Sequence, residues 1–206
     1  WSHRVNGRLR IGMHEIDVSP RHKSHILGSI DELLRLYHTI GLYGIKPSRA
    51  LQADIKQAVA NLTARGQSVI SPESARLIVS IFSLRSALGM VLRSMYETGL
   101  LELCFPEMTH ARCLLQFNQY HHYTVDEHTF RAVEAVTDFL RHQGELGQAY
   151  RLIEEHAVLH LAVFLHDLGK GYPEDHSEVG KKIVEDVAHR LGLSASRQEL
   201  LSFLVH

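Results

Sequence analysis

The stretch His160-Leu-Ala-Val-Phe-Leu-His-Asp-Leu-Gly-Lys170 is apolar on nearly every side of a helix, the pattern of a segment buried in a core. A helix over about His156 to Lys170, ended by Gly169 and Gly171, is the expectation. His166 and Asp167 stand side by side in it. An unpaired buried carboxylate is costly enough to shift its pKa, whereas a divalent cation accepts both that charge and an imidazole lone pair. Metal binding would resolve the conflict; a buried hydrogen-bonded pair is the bland alternative. Neighbours on a helix diverge by about 100°, so a second helix has to complete the shell.

Working back along the chain, Thr124-Val-Asp-Glu127 has the form of a capping box. In such a box the Thr124 hydroxyl takes the Glu127 amide hydrogen and the Glu127 carboxylate returns to the Thr124 amide. In the helix that starts there, Val125, His128, Thr129, Ala132, Val136 and Phe139 share one face, so His128 points inward and is the expected second donor. Taken alone, an inward histidine reads sooner as a core residue bonded to a carbonyl; the three residues together reverse that preference. Lys170, four residues after His166 and three after Asp167, lies on their side of the helix. It can complement the helix dipole or hold a phosphate oxygen as negative charge develops. Further helices are expected over about Ser177 to Arg190 and from Ser196 to His206.

Earlier still, His3 to Val18 alternates around Asn6-Gly7, which reads as a short hairpin with a type I′ turn. From Ser19-Pro20 the period becomes helical, with Ile26, Ile30, Leu33, Leu34 and Tyr37 in a stripe that ends near Gly41. Pro47 to Arg65, a helix opened by Ser71-Pro72, and Ser86 to Glu97 continue the series. Everything after the hairpin reads as all-α. The expected division is a hairpin and helical lead-in over 1–112, followed by the site-bearing helices over 113–206.

Composition narrows the function. Lys and Arg total 22 against 23 Asp and Glu, a formal charge of -1, which removes the broad electrostatic argument for a nucleic-acid partner. Cys104 and Cys113 have neither metal-ligand spacing nor the density of a secreted scaffold, so reduced thiols and the cytoplasm are expected. The longest apolar run, Ala157 to Leu165, is too short to span a bilayer and no signal-peptide pattern opens the chain, so no membrane role is expected. A first residue of Trp, and a last of His on an apolar helical pattern, suggest a piece of something longer. The 16 histidines raise the prior for a metal or acid-base site, although His3, His14, His22, His25 and His38 fall in polar stretches that read as surface.

His128, then His166-Asp167-Leu-Gly-Lys170, then Asp175-His176-Ser-Glu-Val-Gly180 resembles the HD superfamily of metal-dependent phosphohydrolases. The string His121-His-Tyr-Thr-Val-Asp-Glu-His-Thr129 is more specific, and resembles the HD domain of the bifunctional uridylyltransferase/uridylyl-removing enzymes that modify the PII nitrogen-signalling protein. Leu100-Leu-Glu-Leu-Cys-Phe-Pro-Glu107 is similar to that family's helical lead-in. The resemblance implies an HD helical bundle with His128, His166 and Asp167 as metal ligands. It places Lys170 and His176 as catalytic residues near the phosphate or a second metal, and His121 beside the site. It further implies Mg²⁺ or Mn²⁺, although imidazole donors also suit Fe, Zn or Co. The implied reaction is removal of UMP from a uridylylated PII-type partner. The family's nucleotidyltransferase motif and ACT domains have no counterpart in these 206 residues, and the resemblance implies further ligands, a histidine and an aspartate, past His206. An HD hydrolase acting on a free nucleotide, a cyclic dinucleotide or an RNA end, or a non-catalytic regulatory HD module, are the rival readings.

Overall fold

The computed structural model describes residues 3–5, 7–67, 69–114 and 123–205. It opens as an antiparallel meander of β1 (His3–Val5), β2 (Leu9–Ile11) and β3 (Glu15–Val18), to which β4 (Lys46–Pro47) adds in parallel beside β3. The expected hairpin is thus part of a small sheet. Its register sets Val5 opposite Leu9, so the connection is three residues long instead of the two of a type I′ turn. Gly7 takes the positive φ, 67°, that such a loop needs; Asn6 lies outside the described residues.

The first expected helix divides. A 3₁₀ turn at Pro20–His22 leads into α1 (Lys23–Ile26), and α2 (Ile30–Tyr43) starts afresh, with the Ser29 hydroxyl accepting from the Glu32 amide at 3.2 Å. Ser29 offers the new helix its own cap. The stripe also passes through Gly41 and stops at Gly44, whose φ of 64° suits a left-handed terminus. α3 (Arg49–Ala64), α4 (Pro72–Phe82) and α5 (Leu88–Thr98) follow. Ser48 and Ser71 cap the first two, accepting from the Leu51 and Ser74 amides.

The second half comprises α6 (Leu100–Cys104), α7 (Met108–Ala111), α8 (Val125–Asp138), α9 (Glu145–Leu152), α10 (His156–Leu165), α11 (His176–Arg190) and α12 (Ala195–Val205). α10 is the axis of this half, packed against α4, α8, α11 and α12. Its Leu161, Phe164 and Leu165 are fully buried. Phe164 meets Phe82 of α4 and Phe105 edge-on, at ring centroid distances of 5.4 and 5.0 Å. Such contacts add about 0.5–1.5 kcal/mol each beyond the area they bury. His160, also fully buried, is a satisfied core histidine: Nδ1 donates to the Phe82 carbonyl at 2.6 Å and Nε2 accepts from the Tyr150 hydroxyl at 2.9 Å.

The word Leu100 to Glu107 earns its pattern through packing. Leu100, Leu101, Cys104 and Phe105 are buried, and the Glu107 carboxylate takes both guanidinium nitrogens of Arg190 at 3.0 Å, tying this turn to the end of α11. Of the histidines expected at the surface, His14 and His25 are exposed, but His22 and His38 are half-buried, and desolvation holds the His38 pKa below its ordinary value. No helix among the described residues is long and apolar enough to cross a membrane.

Candidate metal centre

α10 ends at Leu165, one residue before the His-Asp pair, and not at Lys170. His166 is its C-terminal cap, after which the chain turns, the Leu168 amide bonding the Leu165 carbonyl at 3.0 Å and the Lys170 amide the Asp167 carbonyl at 3.1 Å. The cause lies in the close passage of this turn over α11. A Cβ on Gly169 would fall 2.5 Å from the His176 carbonyl oxygen and 2.7 Å from the Gly180 amide nitrogen. Gly171, at φ 83°, then sends the chain away. Leaving the helix changes the geometry of the pair. The two side chains converge, with His166 Nε2 and Asp167 Oδ2 3.4 Å apart.

His128 meets them from the second turn of α8. Its Nε2 lies 3.3 Å from His166 Nε2 and 3.4 Å from Asp167 Oδ2. The three atoms thus form a nearly equilateral triangle, and among the described residues they are the one His/Cys/Asp/Glu group compact enough to hold an ion. Two imidazole nitrogens and a carboxylate oxygen suit a divalent ion at about 2.0–2.2 Å. Tetrahedral bonds of about 2.05 Å would set the donors about 3.3 Å apart, and octahedral bonds of about 2.15 Å about 3.0 Å. The residues fit the group.

The supports of each ligand are visible. His166 Nδ1 donates to the Val163 carbonyl at 2.6 Å, which fixes the tautomer and turns the Nε2 lone pair toward the other two. The Asp167 side chain is only 9% exposed, and the Lys170 ammonium lies 2.8 Å from its second oxygen. His128 sits at the rim of its helix rather than on the inward face. The buried residues of α8 are Val125, Asp126, Thr129, Phe130, Val133 and Thr137, and the His128 side chain is 41% exposed. Half-burial suits a ligand at the mouth of a cleft.

The capping box does not form. Thr124 makes no side-chain cap bond to an amide, and the Glu127 carboxylate turns to Arg93, at 2.8 and 3.2 Å, and to Arg131 at 2.7 Å. Arg93 also grips Glu134 at 2.6 and 3.1 Å, so one guanidinium of α5 clamps two turns of α8. Its neighbour Asp126 takes the Tyr96 hydroxyl at 2.5 Å and the amides of Cys113 and Glu127 at 3.1 and 2.9 Å. Burial alone would raise the Asp126 pKa, but hydrogen bonds from Thr124, Tyr96 and those amides outweigh it and hold the carboxylate below its usual range. Cys113, held by that bond, has φ 55°, in the left-handed region.

A cleft of about 430 Å³ opens beside the triad, walled by His166, Asp167, Lys170 and, from α11, His176, Ser177 and Lys181. The structure therefore gathers His128, His166, Asp167 and Lys170 into direct contact and sets His176, exposed, in the lining of the same cleft. His121 lies outside the described residues. Sequence reasoning missed the Arg93 clamp, Lys181, and the reason for Gly169. The glycine pair Gly169 and Gly180, standing in both parts of the motif, was the available signal for a close crossing.

The HD domain family model matches residues 125–205. Over these residues the chain is similar to HD domains. The match starts at α8 and runs through α12, taking in all three triad residues. The chain is also similar to the bifunctional uridylyltransferase/uridylyl-removing enzyme of Cereibacter sphaeroides, 43% identical over 119 residues, which is 55% of this chain and 13% of that protein. It is similar to the enzyme of the same name from Nitrobacter winogradskyi, 39% identical over 140 residues, 65% of this chain and 15% of that protein. The chain thus spans about one seventh of the length of these relatives.

Proposed function

We propose that the HD domain is a metal-dependent phosphodiesterase that removes UMP from a uridylylated tyrosine on a PII-type signalling protein. The observation that carries the reading is the His128–His166–Asp167 triangle, open on one side to a cleft. The similarity to the uridylyltransferase/uridylyl-removing enzymes favours uridylyl removal among phosphohydrolyses. A divalent ion, Mg²⁺ or Mn²⁺ by resemblance, supplies polarisation of a phosphoryl oxygen and an activated water at neutral pH.

The chain's own groups supply the rest. Asp167 contributes the negative charge of the ligand set from a nearly buried position, and His166 and His128 contribute neutral lone pairs. Lys170 uses one of its three N–H groups on Asp167, steadying that carboxylate, and keeps donors for a phosphoryl oxygen as charge builds. His176, which lines the same cleft, is the second catalytic candidate and would donate to the same phosphate.

The test is release of UMP from a uridylylated PII-type protein by the wild-type chain and by His166→Ala. Outer-shell partners of a metal alone are worth 10–100-fold, so loss of a ligand should lower the rate by about 10²-fold or more. Equal rates would contradict the proposal.

A further inference from the structure

Besides His166 and Asp167, the cleft presents Lys170, His176, Glu178 and Lys181. The two lysines differ. The Lys170 ammonium is committed to Asp167 at 2.8 Å, whereas Lys181 is exposed and, among the described residues, has no carboxylate within ion-pairing distance. Glu178 lies one turn earlier on α11, at the favourable i, i+3 spacing, yet the two side chains do not pair. Lys181 is nevertheless not at an arbitrary place on the surface. It follows Gly180, whose backbone is where the His-Asp turn crosses α11 closely enough to exclude a Cβ on Gly169. Its root is therefore fixed relative to the metal triad, and it shares a helix face with Ser177, which lines the same wall.

An anionic ester entering this cleft meets two carboxylates, Asp167 and Glu178, and one lysine whose charge is already shared. We propose that Lys181 is the positioning residue that anchors the negative charge of a phosphate ester in this cleft, acting on affinity rather than on the chemical step. The substrate assignment rests on the phosphodiesterase reading above; the anion site rests on the uncommitted ammonium at a fixed place.

The test uses the full 206-residue chain, with Lys181→Gln and Lys181→Arg. Hydrolysis of the uridylylated protein is followed together with calorimetric binding of UMP, and of uridine as the uncharged probe. Lys181→Gln should raise both KM and the Kd for UMP by about tenfold, leaving kcat within about twofold and uridine binding unchanged. Lys181→Arg should restore most of the loss. An unchanged Kd for UMP in Lys181→Gln, a wild-type chain that does not bind UMP, or a fall in kcat with KM unmoved would each overturn the inference. If UMP binding depends on Lys181 while the wild-type chain releases no UMP from modified protein, the anion site stands and the uridylyl-removing reading falls. Hydrolysis that is normal in both variants, with equal UMP affinity, has the opposite meaning.

Discussion

The imidazole of His166 donates from Nδ1 to the carbonyl oxygen of Val163, 2.6 Å away in the last turn of α10. A helix terminus leaves its last carbonyls without intrahelical partners, and here one of them orients a candidate metal ligand. The bond commits Nδ1 to the proton and Nε2 to the lone pair. Nitrogen NMR on ¹⁵N-histidine-labelled chain, titrated with the diamagnetic ion Zn²⁺, should therefore move the Nε2 resonances of His128 and His166. A His166 signal showing coordination through Nδ1 would contradict this.

The crossing of the His-Asp turn over α11 gives two glycines opposite expectations. Gly169→Ala forces a Cβ to within 2.5 Å of the His176 carbonyl and 2.7 Å of the Gly180 nitrogen, both backbone atoms that cannot swing aside. It should cost about 1–3 kcal/mol and weaken metal binding by displacing the turn. Gly180→Ala meets nothing within 4 Å inside a helix and should stabilise by about 0.5–1 kcal/mol. Urea unfolding of both variants checks this; equal effects of the same sign would refute the crossing.

His160 predicts a pH dependence. Burial, against the opposing influence of the Phe82 carbonyl, pushes its pKa down to about 4. The folded chain therefore keeps the ring neutral while the unfolded chain protonates it near pH 6.5. Its contribution is fully present above pH 6.5 and is lost as pH falls from 6.5 toward 4, at up to about 1.4 kcal/mol per pH unit. His160→Leu should be less stable than wild type at pH 7.5, because Tyr150 and Phe82 lose a partner. Its stability should also fall less steeply between pH 6.5 and 4.5. Parallel slopes for the two proteins would rule this out.

Much of this was legible in the chain. The helix start at Ser71 aside, the strongest signal was chemical: a histidine and an aspartate in an apolar run, with a second histidine in reach. What escaped was set by tertiary contact. Thr124 and Glu127 have capping-box spacing, but Arg93, thirty-four residues away from Glu127, offers a charged partner that wins over a backbone amide. The helix through Lys170 had good periodicity, and the crossing at Gly169 ended it early. A straight helix would have splayed His166 and Asp167 apart; the turn brings their donor atoms to 3.4 Å. Lys181 had no signal at all in isolation, since its meaning depends on Lys170 being already paired.

If His128, His166 and Asp167 hold one divalent ion, anomalous scattering from crystals soaked in Mn²⁺ will locate it among them. A single strong peak should lie within about 2.0–2.3 Å of His128 Nε2, His166 Nε2 and Asp167 Oδ2, and vanish in His128→Ala. Wild-type crystals whose only Mn²⁺ peaks lie elsewhere, or that show none, would mean that these three residues do not form a metal site.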